Sequence, residues 1–372
     1  LGSTHAMTRK LIIDSITYWV DEYKVDGFRF DLMGDLDADT IQMAYDAAKN
    51  LNPNIVMIGE GWITYVGDDG DPRVAADQAW MGKTDTVACF SDELRNEIKS
   101  GFGCEGEPRF ITGGKRSILK IFSNITGKPG NMTADNPGDV VQYIAAHDNL
   151  TLHDVIAYSI KKDPSVKKNQ IEIQKRIHLG SAIVLTSQGI AFLHAGQEYG
   201  RTKQWQTEGK PEDKYTRVDG FKYPYFIHDS YDSSDAINMF DWGKVTTNGI
   251  HQETMEFTKG LIALRRSTDA FRLGSESLVK ENVKLIKSPD LQSIDLVIAY
   301  SCQATTGETY YVFINADSRR RKLRLDMDLR GAVVLVDADE AGVTPVSKAS
   351  GVRIKANMIK IDPLTVVILK EK

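Results

Sequence analysis

Apolar residues over 5–24 fall at Leu11, Ile12, Ile16, Trp19, Val20 and Tyr23, a spacing that predicts a helix. The next run places Val25, Phe28, Phe30 and Leu32 among glycine and charged residues, and predicts a short buried strand ending in Asp31. Asp37 or Asp39 is placed to cap a second helix, whose interior runs from Ile41 to Ala48 and which Pro53 closes. Ile55 to Ile58 then predicts a strand ending at Glu60. The cycle continues with a strand over 86–90, a helix over 93–99 and a strand over 140–146 that ends at His147-Asp148. A helix over 167–187 and a strand over 190–193 follow.

Strands that alternate with helices predict an α/β fold with a parallel sheet, and short all-apolar strands fit a sheet covered on both faces. Charged and polar residues gather just beyond the strand ends: Asp31, Glu60, Ser91-Asp92, His147-Asp148 and Gln197-Glu198. In a (β/α)8 TIM barrel that end carries the active site. After a helix over 251–267 the pattern changes. VKLI, IDLVIAY, TYYVFIN, VVLVD, VRI and TVVIL are short strand-like runs separated by turn residues. They predict an antiparallel β-sandwich. The expected division is residues 1–275 as part of a barrel and 276–372 as the sandwich. About five strands precede the boundary, whereas a closed barrel has eight.

Composition adds mainly exclusions. The chain has 372 residues, 41% hydrophobic and 26% charged, which is an ordinary globular balance. A formal net charge of −5 has the wrong sign for a general binder of nucleic acid or of membrane surfaces. No apolar run approaches the ~20 residues of a membrane span. Cys89, Cys104 and Cys302 form no CxxC pair and read as free thiols, leaning to a reducing, cytoplasmic compartment over a secreted one. The chain opens with Leu1, so its first residue need not be the native start.

Asp31, Glu60 and Asp148 each close a predicted strand and are placed to converge on one cleft. Hydrolysis of a glycoside with retention takes two carboxyl groups, a nucleophile and an acid/base, ~5–5.5 Å apart. Arg29 lies two residues before Asp31, on the same face of a strand, and is placed to favour its charged form. Trp62 is placed to shield Glu60 and favour the protonated form an acid needs, while Gly59 and Gly61 admit close backbone approach. Taken singly, each carboxylate reads equally as a helix cap.

GFRFDLMG (27–34), GEGW (59–62) and AAHDN (145–149) resemble three signature regions of the α-amylase superfamily of glycoside hydrolases. SITYWVDEYKVDGFRFDLMGDL, VACFSDELRNEIKSGFG, HAGQEYGRTK (194–203) and DAINMFDW (235–242) most resemble type I pullulanases, which debranch α-1,6-linked glucans. The resemblance implies that Asp31 is the nucleophile, Glu60 the acid/base and Asp148 the transition-state stabiliser. It implies that Arg29 and His147 bind substrate beside them. Trp62, by its position, and Asn149, within the third region, join them as substrate-binding candidates. The family's earlier Asn-His region and its Tyr motif do not occur here. The chain therefore resembles the C-terminal part of such an enzyme, from the helix before strand 4 onward, with an N-terminal part as missing partner. The implied substrate is an α-glucan: pullulan, amylopectin, glycogen or a limit dextrin. An α-1,4-acting hydrolase or a transglycosylase would use the same carboxylates, and a non-catalytic carbohydrate-binding fragment is the alternative of another class.

Other features carry less. GFGCEG (101–106) matches GxGxxG but does not open a helix, so the dinucleotide reading fails. No cofactor is expected. Calcium is possible at Asp35, Asp37 and Asp39 or at Asp68, Asp69 and Asp71, although capping and solvated loops explain them better. Arg319-Arg320-Arg321-Lys322 reads as a solvated turn. His153, His178, His228 and His251 show no metal-ligand spacing and read as structural, whereas His194 follows a strand and is placed to line the cleft. Tyr65, Trp80 and Trp205, like Trp62, fall in loops and are candidate sugar platforms.

Overall fold

The computed structural model describes residues 2–70 and 72–371. Its first part runs α1 (Ala6–Tyr23), β1 (Gly27–Phe30), α2 (Ala38–Leu51), β2 (Val56–Gly59), β3 (Val87–Phe90), α3 (Asp92–Ile98), β4 (Arg116–Ser117) and α4 (Ile118–Ile125). β5 (Val140–Gln142), α5 (Leu152–Ile160), α6 (Lys167–Thr186) and β6 (Ile190–Ala191) follow. β1, β2, β3, β5 and β6 form one sheet in that order, all parallel. An order with no reversal winds the chain one way round, unlike a doubly wound sheet.

Local chemistry accounts for the boundaries. Asp37 caps α2: its Oδ1 accepts from Thr40 N–H at 3.0 Å, and Arg9 Nη2 approaches the same oxygen at 3.0 Å. That carboxylate is fully committed, so capping and not calcium explains it. Asp71 lies outside the described residues. The carboxylates whose oxygens do converge are Asp85, Asp135 and Asp139, at positions the sequence did not single out. The strand expected over 140–146 stops at Gln142, and residues 143–149 run irregularly along the sheet end. α4 and α5 went unpredicted: α5 is short and largely buried, which hides its period, whereas α4 spans only eight residues although Ile118, Ile121, Phe122 and Ile125 keep helical spacing.

β7 (Tyr215–Arg217) and β8 (Tyr225–Ile227) form a hairpin, and α7 (Asp235–Asn238), α8 (Trp242–Thr246), α9 (Ile250–Ser267) and α10 (Glu276–Asn282) lead to the β-rich end. There the strands are β9 (Val283–Leu285), β10 (Ile294–Asp295), β11 (Val297–Gln303), β12 (Thr309–Asn315), β13 (Arg321–Arg324), β14 (Val333–Val336), β15 (Val352–Lys355), β16 (Met358–Ile361) and β17 (Thr365–Lys370). They make a five-stranded antiparallel sheet, β14-β17-β12-β11-β9, and a three-stranded one, β13-β16-β15. Val297, Phe313, Leu323, Ile359 and Val367, drawn from both sheets, share one core. The boundary expected near 275 is not a clean division. β10 pairs with β4 across it, and a single apolar cluster runs from Leu94 and Ile183 to Ile298 and Ile368.

The basic run is only half the solvated turn expected: Arg319 and Arg320 are exposed in a turn, whereas Arg321 and Lys322 belong to a strand. Arg321 opens β13 and grips Asp295 with both nitrogens, at 2.7 and 3.0 Å, while Arg320 pairs with Asp362 at 2.5 Å. β13 has a single inward apolar residue, Leu323, so no alternation betrayed it. Burial alone would raise the Asp295 carboxyl, but Arg321 and the N–H groups of Gln292 and Leu296 outweigh it and hold it below the usual carboxylate range. A depressed carboxyl stabilises the fold above pH ~4 and loses that contribution as the pH falls further. Arg321→Met strands the carboxylate and is expected to cost ~3–5 kcal/mol in urea unfolding at pH 7. Arg321→Met/Asp295→Leu should recover most of it. Equal stability of the single variant and wild type would contradict the pairing.

Candidate active site

The register of the parallel sheet creates the site. Phe30 pairs with Gly59, so the residues that follow, Asp31 and Glu60, leave adjacent strands side by side. Neighbouring strands lie ~4.8 Å apart, so the two carboxylates begin within reach of one group. That group is Arg29. Its Nη1 meets Asp31 Oδ1 at 2.6 Å and its Nη2 meets Glu60 Oε1 at 2.7 Å. The other Glu60 oxygen accepts from the Leu32 N–H at 3.0 Å. Leu32 has a left-handed φ of 45°, unusual for a residue with a side chain, and this aims its amide at Glu60.

Two glycines let the backbones close round Glu60. A Cβ on Gly34 would stand 1.9 Å from the Trp62 carbonyl, and one on Gly61 would stand 2.2 Å from Cys89 Sγ. Glu60 is buried at 8% exposure, whereas the Asp31 side chain is 74% exposed at the rim. Trp62 lines the same cleft as Glu60, but the ion pair with Arg29, which the sequence did not announce, favours the charged carboxylate and not the protonated form expected.

Beyond β5, His147, Asp148 and Asn149 close the far side. His147 Nε2 lies 3.5 Å from Asp148 Oδ1. Asn149 takes a left-handed φ of 61°, which asparagine tolerates, and its Oδ1 accepts from the Leu150 N–H at 2.7 Å. Its amide nitrogen donates to Glu105 at 2.5 Å, and its carbonyl accepts from the buried Lys203 Nζ at 2.6 Å. The turn that presents Asp148 is thus tied from two sides. One cleft is lined by Arg29, Glu60, Trp62, His147, Asp148 and Asn149 together, with Asp31 joined to it through Arg29.

Three rings floor the cleft. Phe90 meets Tyr143 edge-on at 5.0 Å and Phe192 edge-on at 5.1 Å. Each stands at the end of a strand or just after it, the signal that finds them in hindsight. Arg95 Nη1 donates to the Tyr143 hydroxyl at 2.8 Å, and burial pushes that phenol up from its ordinary pKa. Lys99, Gly101 and Phe102 complete the wall. None of these was expected, because α3 reads as an ordinary surface helix. His194 lies outside the lining, and burial, helped by Arg201 and Lys203, lowers its imidazole to about 4. Trp80 belongs to the core behind β2, so it offers no sugar platform.

The cleft thus sets two carboxylates bridged by one arginine at the carboxyl ends of parallel strands, over a floor of rings. The chain is 52% identical to Pullulanase A of Streptococcus pneumoniae serotype 4, over all of this chain and 31% of that protein. It superposes on the Group B Streptococcus pullulanase SAP in complex with maltotetraose with a TM-score of 0.96, at 53% identity, covering 100% of this chain and 50% of that one. The catalytic module of the multi-modular glycogen-degrading pneumococcal virulence factor SpuA, in complex with an inhibitor, gives 0.97 at 51% identity, covering 100% and 56%. Residues 282–372 match the family described as SpuA C-terminal. The chain is similar to these pullulanases over its whole length, and it spans about a third of the length of the curated relative named above.

Proposed function

We propose that this chain carries the catalytic carboxylates of a retaining glycoside hydrolase that opens α-1,6 branch links in α-glucans. The observation that carries the reading is the single guanidinium spanning Asp31 and Glu60, with Asp148 in the same cleft as Glu60. Asp31 attacks the anomeric carbon while Glu60 gives its proton to the departing glycosidic oxygen. A covalent glycosyl-Asp31 forms, and Glu60 then takes a proton from the water that releases it. Asp148 and His147 hold sugar hydroxyls, Asn149 supports them, and Trp62 offers a face to the ring. Both Glu60 oxygens are engaged in the empty cleft, one by a fixed backbone amide and one by Arg29. Substrate entry frees the second, since a side chain yields more readily than an amide in a packed turn. The chemistry uses carboxylates and no cofactor.

The same reading makes the five parallel strands an arc of a (β/α)8 barrel, closed by a further segment of the same enzyme. Both edges of the sheet, β1 and β6, are unpaired on their outer sides among the described residues. Relatives named for glycogen degradation and for a maltotetraose complex favour an α-glucan substrate. The test is digestion of pullulan by the complete enzyme. Maltotriose as the main product, with linear amylose left intact, is expected. Attack on amylose with pullulan untouched would overturn the α-1,6 assignment in favour of α-1,4 action.

A further inference from the structure

Lys99 is the last residue of the α3 segment before the chain turns along the cleft wall. It is 4% exposed, yet no hydrogen bond or ion pair reaches its ammonium among the described residues. The side chain is buried but its ammonium opens on the cleft that Lys99 lines, so its acceptor comes from solvent or from a ligand. The next residue is also irregular. Ser100 holds φ at 117°, and its buried Oγ has no partner either. Two unpartnered polar groups and a strained backbone at one point of a cleft wall mark a place where a ligand completes the structure.

The surroundings define that ligand. Arg95 on the same helix, Glu105 in the following loop and Lys203 beyond it face Lys99, and His194 lies within its field. Glu105 accepts from Asn149 and from the Gly103 N–H on one oxygen; its charge favours the Lys99 ammonium, but it makes no ion pair with it and leaves the donor positions open. Glu60 and Asp148 share the cleft and repel an anion. A neutral, hydroxyl-bearing ligand satisfies both constraints.

We propose that Lys99 is a substrate-recognition residue whose ammonium donates to a hydroxyl of the glucosyl unit seated in the cleft. The assignment rests on the α-glucan reading given above. Burial first, then Arg95 and Lys203, lower the free lysine to about 7, so its proton is lost as the pH rises through that value. Sugar binding should hold the proton on.

Lys99→Met in the complete enzyme is expected to lower kcat/KM on pullulan about 10- to 100-fold at pH 6, the range for a hydrogen bond from a charged donor. Most of the loss should fall on KM. The gap between wild type and variant should narrow as the pH rises above 7, and Lys99→Arg should recover part of the loss. Thermal stability of Lys99→Met should be equal or higher, because an unpaired buried charge is removed. A loss that is independent of pH and matched by a lower Tm would assign Lys99 a purely structural role and overturn the proposal. Maltotriose binding by calorimetry reads Lys99 separately from hydrolysis. Weaker binding to Lys99→Met sustains the assignment even if pullulan proves not to be cut, and equal affinity overturns it.

Discussion

Asp31→Asn is expected to lower pullulan turnover by the complete enzyme more than about 10⁴-fold, because on the proposed mechanism Asp31 supplies the oxygen that forms the covalent bond. The amide keeps the shape and a hydrogen bond to Arg29 but has no nucleophilic oxygen. Glu60→Gln should act differently. It should slow natural glucans by ~10²–10⁴-fold and slow a substrate with an activated leaving group, such as a maltosyl fluoride, much less in its first step. An activated leaving group departs without a proton. The Asp31 variant should form no glycosyl-enzyme with either substrate, whereas the Glu60 variant should accumulate one from the fluoride, detectable by intact-protein mass spectrometry. An equal loss on both substrates would remove Glu60 from the acid role. A glycosyl adduct on Asp31→Asn would place the nucleophile elsewhere.

The second large effect concerns the open sheet. Among the described residues β1 pairs with β2 alone, and β6 with β5 alone. α1 buries Ile16 and Val20 against the sheet but leaves Leu11 at 66%, Trp19 at 44% and Tyr23 at 59% exposure. The Trp19 and Tyr23 rings meet tilted, with centroids 4.6 Å apart, in an exposed aromatic face. Parallel sheets occur with their faces and edges covered, and a bare edge beside a bare apolar face templates association. Each ladder group left dry and unpaired costs ~1–3 kcal/mol, against a total stability of ~5–15 kcal/mol. Residues 1–372 expressed alone are therefore expected to aggregate or to melt without cooperativity, and to be inactive. Co-expression with the segment that completes the sheet should restore solubility and pullulan hydrolysis together. A monomeric, cooperatively melting, active protein of these residues alone would refute the argument. The β-rich end is not expected to survive intact by itself. Its outer core, around Phe313 and Leu323, is its own, but the inner face of its larger sheet shares a core with α6 and α9.

Some of this was settled by sequence and some only by folding. The five parallel strands were legible because each is a short apolar run bounded by turn residues, a local property. So were Asp31, Glu60 and Asp148 as candidates, because each stands where such a run ends. The pairing of Phe30 with Gly59 was not legible, since register depends on the neighbouring strand; it alone brings Asp31 and Glu60 to one arginine. Sequence spacing tied Arg29 to Asp31 two residues away, but the bond to Glu60, thirty-one positions on, exists only once the strands lie side by side. β13 was misread because a strand with one buried residue has no period, and its arginines are explained by Asp290 and Asp295, some thirty residues earlier in the chain. Lys99 looked like a helix-end lysine in water. Its burial comes from the 101–105 loop and the Asn149 turn closing over it, contacts between distant segments that no local pattern encodes.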